Sequence, residues 1–112
     1  MNLPIKWTPL ALQSLSDVFE YTCDIFGEQQ LHKLRGKVSD ATRLLSLFPL
    51  AGKKEIELSE DLKTDYRSIV VIKEIKLIYT VTYDEVFIEY VMNTRQSEAT
   101  VANLLELTNG QE

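Results

Sequence analysis

The sequence predicts an α+β fold: an N-terminal strand, a long antiparallel helical hairpin packed on an antiparallel β-meander, and a short C-terminal helix. Three observations predict it. Apolar residues recur at helical spacing from Pro9 to Phe48, with the single Gly27 between two runs. From Lys54 the apolar period changes to two, the period of a half-buried strand. The polar stretch VMNTRQSE, residues 91–98, then closes the last strand and leads into a further helix.

Residues 3–7 read as a short strand. Thr8 offers a capping hydroxyl and Pro9 stands at the first helical position, where its missing N–H costs nothing. Leu12, Leu15, Phe19, Thr22 and Phe26 follow in steps of three and four, beside Val18 and Ile25, until Gly27 supplies a C-terminal stop. Leu31, Leu34, Val38, Ala41, Leu45 and Phe48 repeat the stepping up to Pro49. Two long helices joined around one glycine form an αα-hairpin whose facing stripes bury each other.

Strands are predicted over 54–58, 66–72, 75–82 and 86–93, all rich in Ile, Val, Tyr and Thr. They are joined by SEDLKTD, by Lys73-Glu74 and by Tyr83-Asp84-Glu85, the spacing of consecutive antiparallel strands. Ile69, Val71, Leu77, Tyr79, Val81, Val86, Ile88 and Tyr90 then line the face toward the hairpin. Arg67 shares their row, so its charge must reach solvent or a partner. Ser97 caps a helix running to about Leu107 with Glu98 in its first turn, and the final TNGQE reads as frayed.

A chain of 112 residues with 45% hydrophobic content has material for one core, so residues 1–112 read as a single domain. The lone Cys23 has no partner for an internal disulfide and reads as a small buried apolar residue, which fits a reducing cytoplasm. MNLPIKWTP has neither the basic nor the apolar region of an export signal, and no apolar run approaches the roughly 20 residues that span a bilayer. A soluble, cytoplasmic protein without membrane contact is expected.

Charge narrows the function. Twelve basic against 17 acidic side chains give −5, and neither half of the chain is cationic. Proteins that grip a polyanion need a basic face to displace counterions, so a nucleic-acid role would rest on a few positioned residues. No nucleotide loop, metal-ligand cluster or nucleophilic triad is present, and neither a cofactor nor a metal is expected. His32 reads as a helix-surface residue. What remains is a scattered cationic set: Lys53, Lys54, Arg67, Lys76 and Arg95. In a simple meander Lys53 and Lys54 lie at the opposite end of the sheet from Arg67, and so does Arg95, although side chains of this length narrow such gaps, and the expectation is a loose basic rim on the sheet. By spacing alone that rim is ordinary surface charge.

The order of elements, with IKWTPLALQSL at the start, FPLAGKK after the second helix, Arg67 in DYRSIVV, then KLIYTVTYDEVFIEYV and the closing NTRQ, resembles the RelE/ParE toxins of bacterial type II toxin–antitoxin systems. The resemblance covers residues 4–97. It implies one fold with two activities. RelE-like members are ribosome-dependent mRNA endoribonucleases, and for that chemistry Arg67, Arg95, Lys53 and Lys54 match or lie near the family's cationic positions. Asn93 stands where many such members have histidine, and an amide cannot transfer a proton near neutral pH. ParE-like members bind and poison DNA gyrase, a role that needs neither acid, base nor a positive field. The resemblance therefore implies a ParE-like, plasmid-stabilisation type of growth inhibitor, with a RelE-like nuclease or an inactive toxin-like module as alternatives. Asn93, Arg95, Gln96 and Arg67 are its target-binding candidates. The implied partners are gyrase, or the ribosome and mRNA in the alternative, and a cognate antitoxin through which alone DNA would be bound. The apolar residues Leu10, Phe26, Leu44 and Leu47 are the candidates for antitoxin contact.

Overall fold

Thr8 starts the first helix as its sequence suggests. Its hydroxyl accepts the Ala11 N–H at 3.1 Å, directly after strand β1 (Ile5–Trp7) and before Pro9 opens helix α1 (Pro9–Phe26). The computed structural model describes residues 2–109. Gly27 alone links α1 to α2 (Glu28–Leu47), with φ at 91°, a conformation that carries little penalty only without a Cβ. On α2 the predicted stripe is buried at Leu34, Val38, Ala41 and Leu45. The stripe on α1 is rotated from the predicted one. Ala11 and Ser14 are its buried residues, with Leu15 and Val18 packed beside them, whereas Leu12 and Phe26 are 53% and 62% exposed. Small side chains at 11 and 14 let the helix approach the sheet closely, which turns the larger residues one step away. Phe48 is likewise exposed. Cys23 is half-buried, on an outer groove between the helices where Arg35 lies over the Phe19 ring at 5.3 Å, and His32 is on the surface.

The hairpin carries the chain from β1 to the far edge of the sheet, and the meander walks back. Strand β2 (Lys53–Lys54) pairs with β3 (Arg67–Ile72), β3 with β4 (Ile75–Val81) and β4 with β5 (Val86–Asn93), all antiparallel. β5 then meets β1 in parallel, so the order is β1-β5-β4-β3-β2 and the β-layer is mixed, not wholly antiparallel. The predicted strand over 54–58 is a second correction. After two strand residues the chain turns into helix α3 (Ile56–Leu62), where SEDLKTD was read as a loop. Leu58 and Leu62 stand four apart in a segment with Glu57 and Glu60, and Leu and Glu lose little in a helix, which outweighs a brief alternation. Lys63, left-handed at φ 55°, ends it.

A third correction lies in β5. Ile78 is paired with Tyr90 but Tyr79 with Ile88, which leaves Glu89 as an extra residue, a β-bulge. Past it the two faces exchange. Ile88 and Val91 face the hairpin with Leu77, Tyr79, Val86, Ala41 and Leu45, whereas Tyr90, predicted on that side, joins Met92, Ile78 and Tyr66 on the other. There Leu58 of α3 and Val101 and Leu105 of helix α4 (Glu98–Asn109) cover them. α4 extends past the predicted Leu107, and the end of TNGQE, residues 110–112, lies outside the described residues. Among the described residues no helix is long and apolar enough to cross a membrane.

The start of α1 takes up the polar backbone groups around the bulge. Thr8 N–H donates to the Ile88 carbonyl at 3.1 Å and its hydroxyl to the Glu89 carbonyl at 3.2 Å. Val91 N–H donates to Ser14 Oγ at 2.9 Å, and that hydroxyl donates on to the Ala11 carbonyl. Ser14→Ala strands a buried N–H and should cost about 1–3 kcal/mol. Urea unfolding measures this, and a loss below about 0.5 kcal/mol would mean that the bulge is held some other way.

Candidate functional site

The meander gives the sheet two working ends. At the first, the loop after α2 is pinned from below. Tyr79 donates its hydroxyl to the Pro49 carbonyl at 2.8 Å and accepts the Gly52 N–H at 2.9 Å. Arg67 donates to the Gly52 carbonyl at 2.9 Å and reaches the Leu50 carbonyl at 3.5 Å. This is how a guanidinium is accommodated on an inward row: the loop's carbonyls are its partners. Burial pushes the Tyr79 phenol above its ordinary pKa, against the Gly52 N–H and the Arg67 charge, so it stays a neutral donor. A Cβ at Gly52 would come under 3.0 Å from Tyr79 and the Ser68 carbonyl, which excludes any other residue without rearrangement.

Because β2 is only two residues long, Lys54 lies opposite Arg67 and Lys53 opposite Ser68. The sequence put these lysines at the other end of the sheet; they stand beside Arg67 instead. Both are exposed, and Lys54 pairs with the exposed Asp65 at 3.2 Å. Lys76 lies on the sheet's other face, bonded at 3.2 Å to the buried Glu55, which also accepts the Ser68 hydroxyl. Burial works to raise the Glu55 pKa. The Ser68 hydrogen bond and the Lys76 charge and hydrogen bond outweigh it, with help from Lys53, and hold the carboxyl below its ordinary value.

The second end is built by the turn after β5. Asn93 Oδ1 accepts the Arg95 N–H at 2.9 Å, the Asn93 carbonyl accepts the Gln96 N–H at 2.9 Å, and Gln96 Oε1 accepts the Asn93 N–H at 3.2 Å. Thr94 N–H donates to the Glu74 carbonyl in the β3–β4 turn. Ser97 then caps α4 by accepting the Thr100 N–H at 3.1 Å. The turn opens onto a groove of about 850 Å³ between the hairpin tip and the sheet, with Tyr21, Phe26 and Ile72 on its walls and Lys33, Lys37 and Arg95 among its charged groups.

The structure therefore brings Asn93, Arg95 and Gln96 together and separates them from Arg67. Arg67 is opposite Tyr79 on β4 and Asn93 opposite Ile75, four residues or about 13 Å along the strand. The four cations that a nuclease reading needs, Lys53, Lys54, Arg67 and Arg95, are thus split three to one. Of the apolar candidates, Phe26 is in the groove, edge-on to Tyr21 with ring centroids 6.4 Å apart. Leu44 and Leu47 are exposed near the other end of α2, about 24 Å along the helix, and Leu10 packs half-buried against the second core. Sequence reasoning missed Tyr21, Ile72, Lys33 and Lys37. The available signal was that Tyr21, Ile25 and Phe26 put large apolar groups off the buried stripe of α1.

Comparison with known proteins agrees with this architecture. A model of the ParE toxin of the type II toxin–antitoxin system parDE matches residues 5–98. The chain belongs to the ParE toxin family. A chain from the chromosomal ParDE toxin–antitoxin system of P. aeruginosa has the same fold, with a TM-score of 0.65 over 81% of this chain and 95% of that one, at 14% identity. No curated protein sequence matches. Within this ParE-family chain, both ends of the sheet lie inside the matched span.

Two outcomes test the first end. Gly52→Ala should destabilise the fold by about 1–3 kcal/mol, read by thermal unfolding, since either Tyr79 or the loop must move. Glu55 has a depressed folded-state pKa, so its contribution is present above the unfolded carboxyl value and is lost as pH falls through the folded one. Stability measured on acidification from pH 7 should therefore decline less in Glu55→Gln than in the parent; equal slopes would remove Glu55 from the account.

Proposed function

We propose that the chain is the toxin of a type II pair that inhibits DNA gyrase by protein binding and is neutralised by a cognate antitoxin. The observation that carries the reading is the division of the cationic residues. Cleavage at one phosphate needs cations and proton-transfer groups converging within hydrogen-bonding reach of it. Arg67 is committed to loop carbonyls, about 13 Å of strand separates it from the turn at Asn93, and the Asn93 side-chain oxygen is occupied inside that turn. Binding a protein makes no such demand. It needs a shaped surface with apolar anchors and a few directed polar groups, and the Arg95 groove has Tyr21, Phe26 and Ile72 beside its charged groups.

Family membership supports the antitoxin as partner, as does the ParDE system from which the P. aeruginosa chain comes. In this reading an amphipathic segment of the antitoxin lies along the hairpin, where Phe26, Leu44 and Leu47 are exposed, and Leu10 contributes only the part of its side chain that the second core leaves open. Arg67 serves the target surface indirectly, by fixing the loop at residues 49–52. The protein works in the cytoplasm, where gyrase is.

The test is a side-by-side assay of the purified chain on gyrase with supercoiled DNA and on programmed ribosomes. Accumulation of cleaved DNA that requires gyrase, relieved by antitoxin, is expected, with mRNA intact. Cutting of mRNA that is lost in Arg67→Ala and strengthened in Asn93→His would replace this reading with the RelE-like one. Silence in both assays, with growth unaffected by overproduction, would leave an inactive module.

A further inference from the structure

We infer that Arg95 is the one side chain of the Asn93–Gln96 turn that meets the target, and that Tyr90, Gln96 and Asn93 are positioning residues that act through it. The inference rests on the reading of this turn as a target-binding edge and divides its labour. Among the described residues the side chains of the turn are committed to different degrees: Gln96 is bonded at both ends and Asn93 through its oxygen, whereas the Asn93 amide nitrogen and the short Thr94 hydroxyl make no bond, and the one long charged side chain, Arg95, is left with its whole head uncommitted. Asn93 spends its side-chain oxygen on the Arg95 N–H, and Gln96 spends its own on the Asn93 N–H. The remaining end of Gln96, Nε2, donates to the Tyr90 hydroxyl at 2.8 Å. Tyr90 is 6% exposed, with its ring in the second core against α3 and α4. Its hydroxyl is therefore a fixed point of the interior offered to a surface turn. The bulge at Glu89 makes this possible: without it Tyr90 would face the hairpin and Gln96 would have no anchor.

Arg95, by contrast, is exposed at the groove, and its guanidinium makes no hydrogen bond or ion pair among the described residues. An arginine whose backbone is held by an Asx-type turn, and whose head is uncommitted, loses little backbone freedom on binding and keeps all its donors for the partner. Asn93 and Gln96 resemble contact residues in the sequence only because the turn that needs them is polar.

The test is a double-mutant cycle read by growth arrest, which reports engagement whatever the target. The intracellular level of soluble chain that halves growth rate is measured by titrated expression. Arg95→Ala should raise that level by about tenfold or more, as loss of a central arginine contact does. Tyr90→Phe keeps the ring and removes only the hydroxyl, and should raise it by about threefold to tenfold. Gln96→Met removes both ends of the brace from the surface and should do the same, which covers a Tyr90→Phe chain that fails to fold. Neither change should add to the effect in the R95A background, since both work through the arginine.

Equal penalties in the R95A background would mean that Tyr90 and Gln96 serve stability alone, and an R95A chain of parental potency would remove Arg95 as the contact; either overturns the inference. An arrest that follows the expected cycle while purified gyrase is untouched would sink the gyrase reading and leave this one standing. Cleaved DNA from gyrase with R95A as potent as the parent would do the reverse, and absence of arrest at every level would overturn both.

Discussion

The backbone of β5 between Ile88 and Val91 cannot be satisfied by β4 alone, and the first turns of α1 supply what is missing. Thr8 gives two donors to the carbonyls of Ile88 and Glu89, and Ser14 receives the Val91 N–H. Fixing α1 there sets the hairpin on the sheet at the close distance that Ala11 and Ser14 permit. It also holds in place the extra residue that turns the rest of β5 over. The two cores, the anchoring of Tyr90 and the shape of the final turn all follow from this one irregularity. A regular strand of the same composition would have put Val91 and Tyr90 on the opposite sides and left the second helix pair with a poorer surface to cover.

Much of the fold was legible because its periods are clean. The stepping of α2, the Thr8-Pro9 start, the Gly27 stop and the turn at Lys73-Glu74 each follow from local chemistry, and the structure has them where the sequence does. What was not legible depends on tertiary contacts. The rotation of α1 is set by how near Ala11 and Ser14 can come to β5, which no hydrophobic count reveals. α3 was hidden behind a short alternation at residues 54–58, although Leu58 and Leu62 at helical spacing were there to be weighed. The bulge left one trace, the run Tyr90-Val91-Met92. Three successive apolar residues in a strand need cover on both faces, and a sheet with helices on one side only would not supply it.

The site was half legible for the same reasons. Asn93, Arg95 and Gln96 stand together because they are adjacent in sequence, and a turn of that composition announces itself. The groove beside them is made by α1, α2 and the β3–β4 turn, elements far apart in the chain, so its walls could not be read. The lysines of β2 came out at the wrong end of the sheet because strand length decides which end a strand's first residue occupies. With two residues there is no other end.

β4 is the central strand of the sheet: it lies between β3 and β5, with the hairpin over one face and α3 and α4 beyond the other. Five of its seven residues are buried and none is exposed. Such a strand has no outer side on which a sequence can drift. Variation that retunes what this chain recognises must therefore accumulate elsewhere, in the turns and on the outer helix faces, while the IKLIYTV segment accepts only replacements that keep its volume on both sides at once.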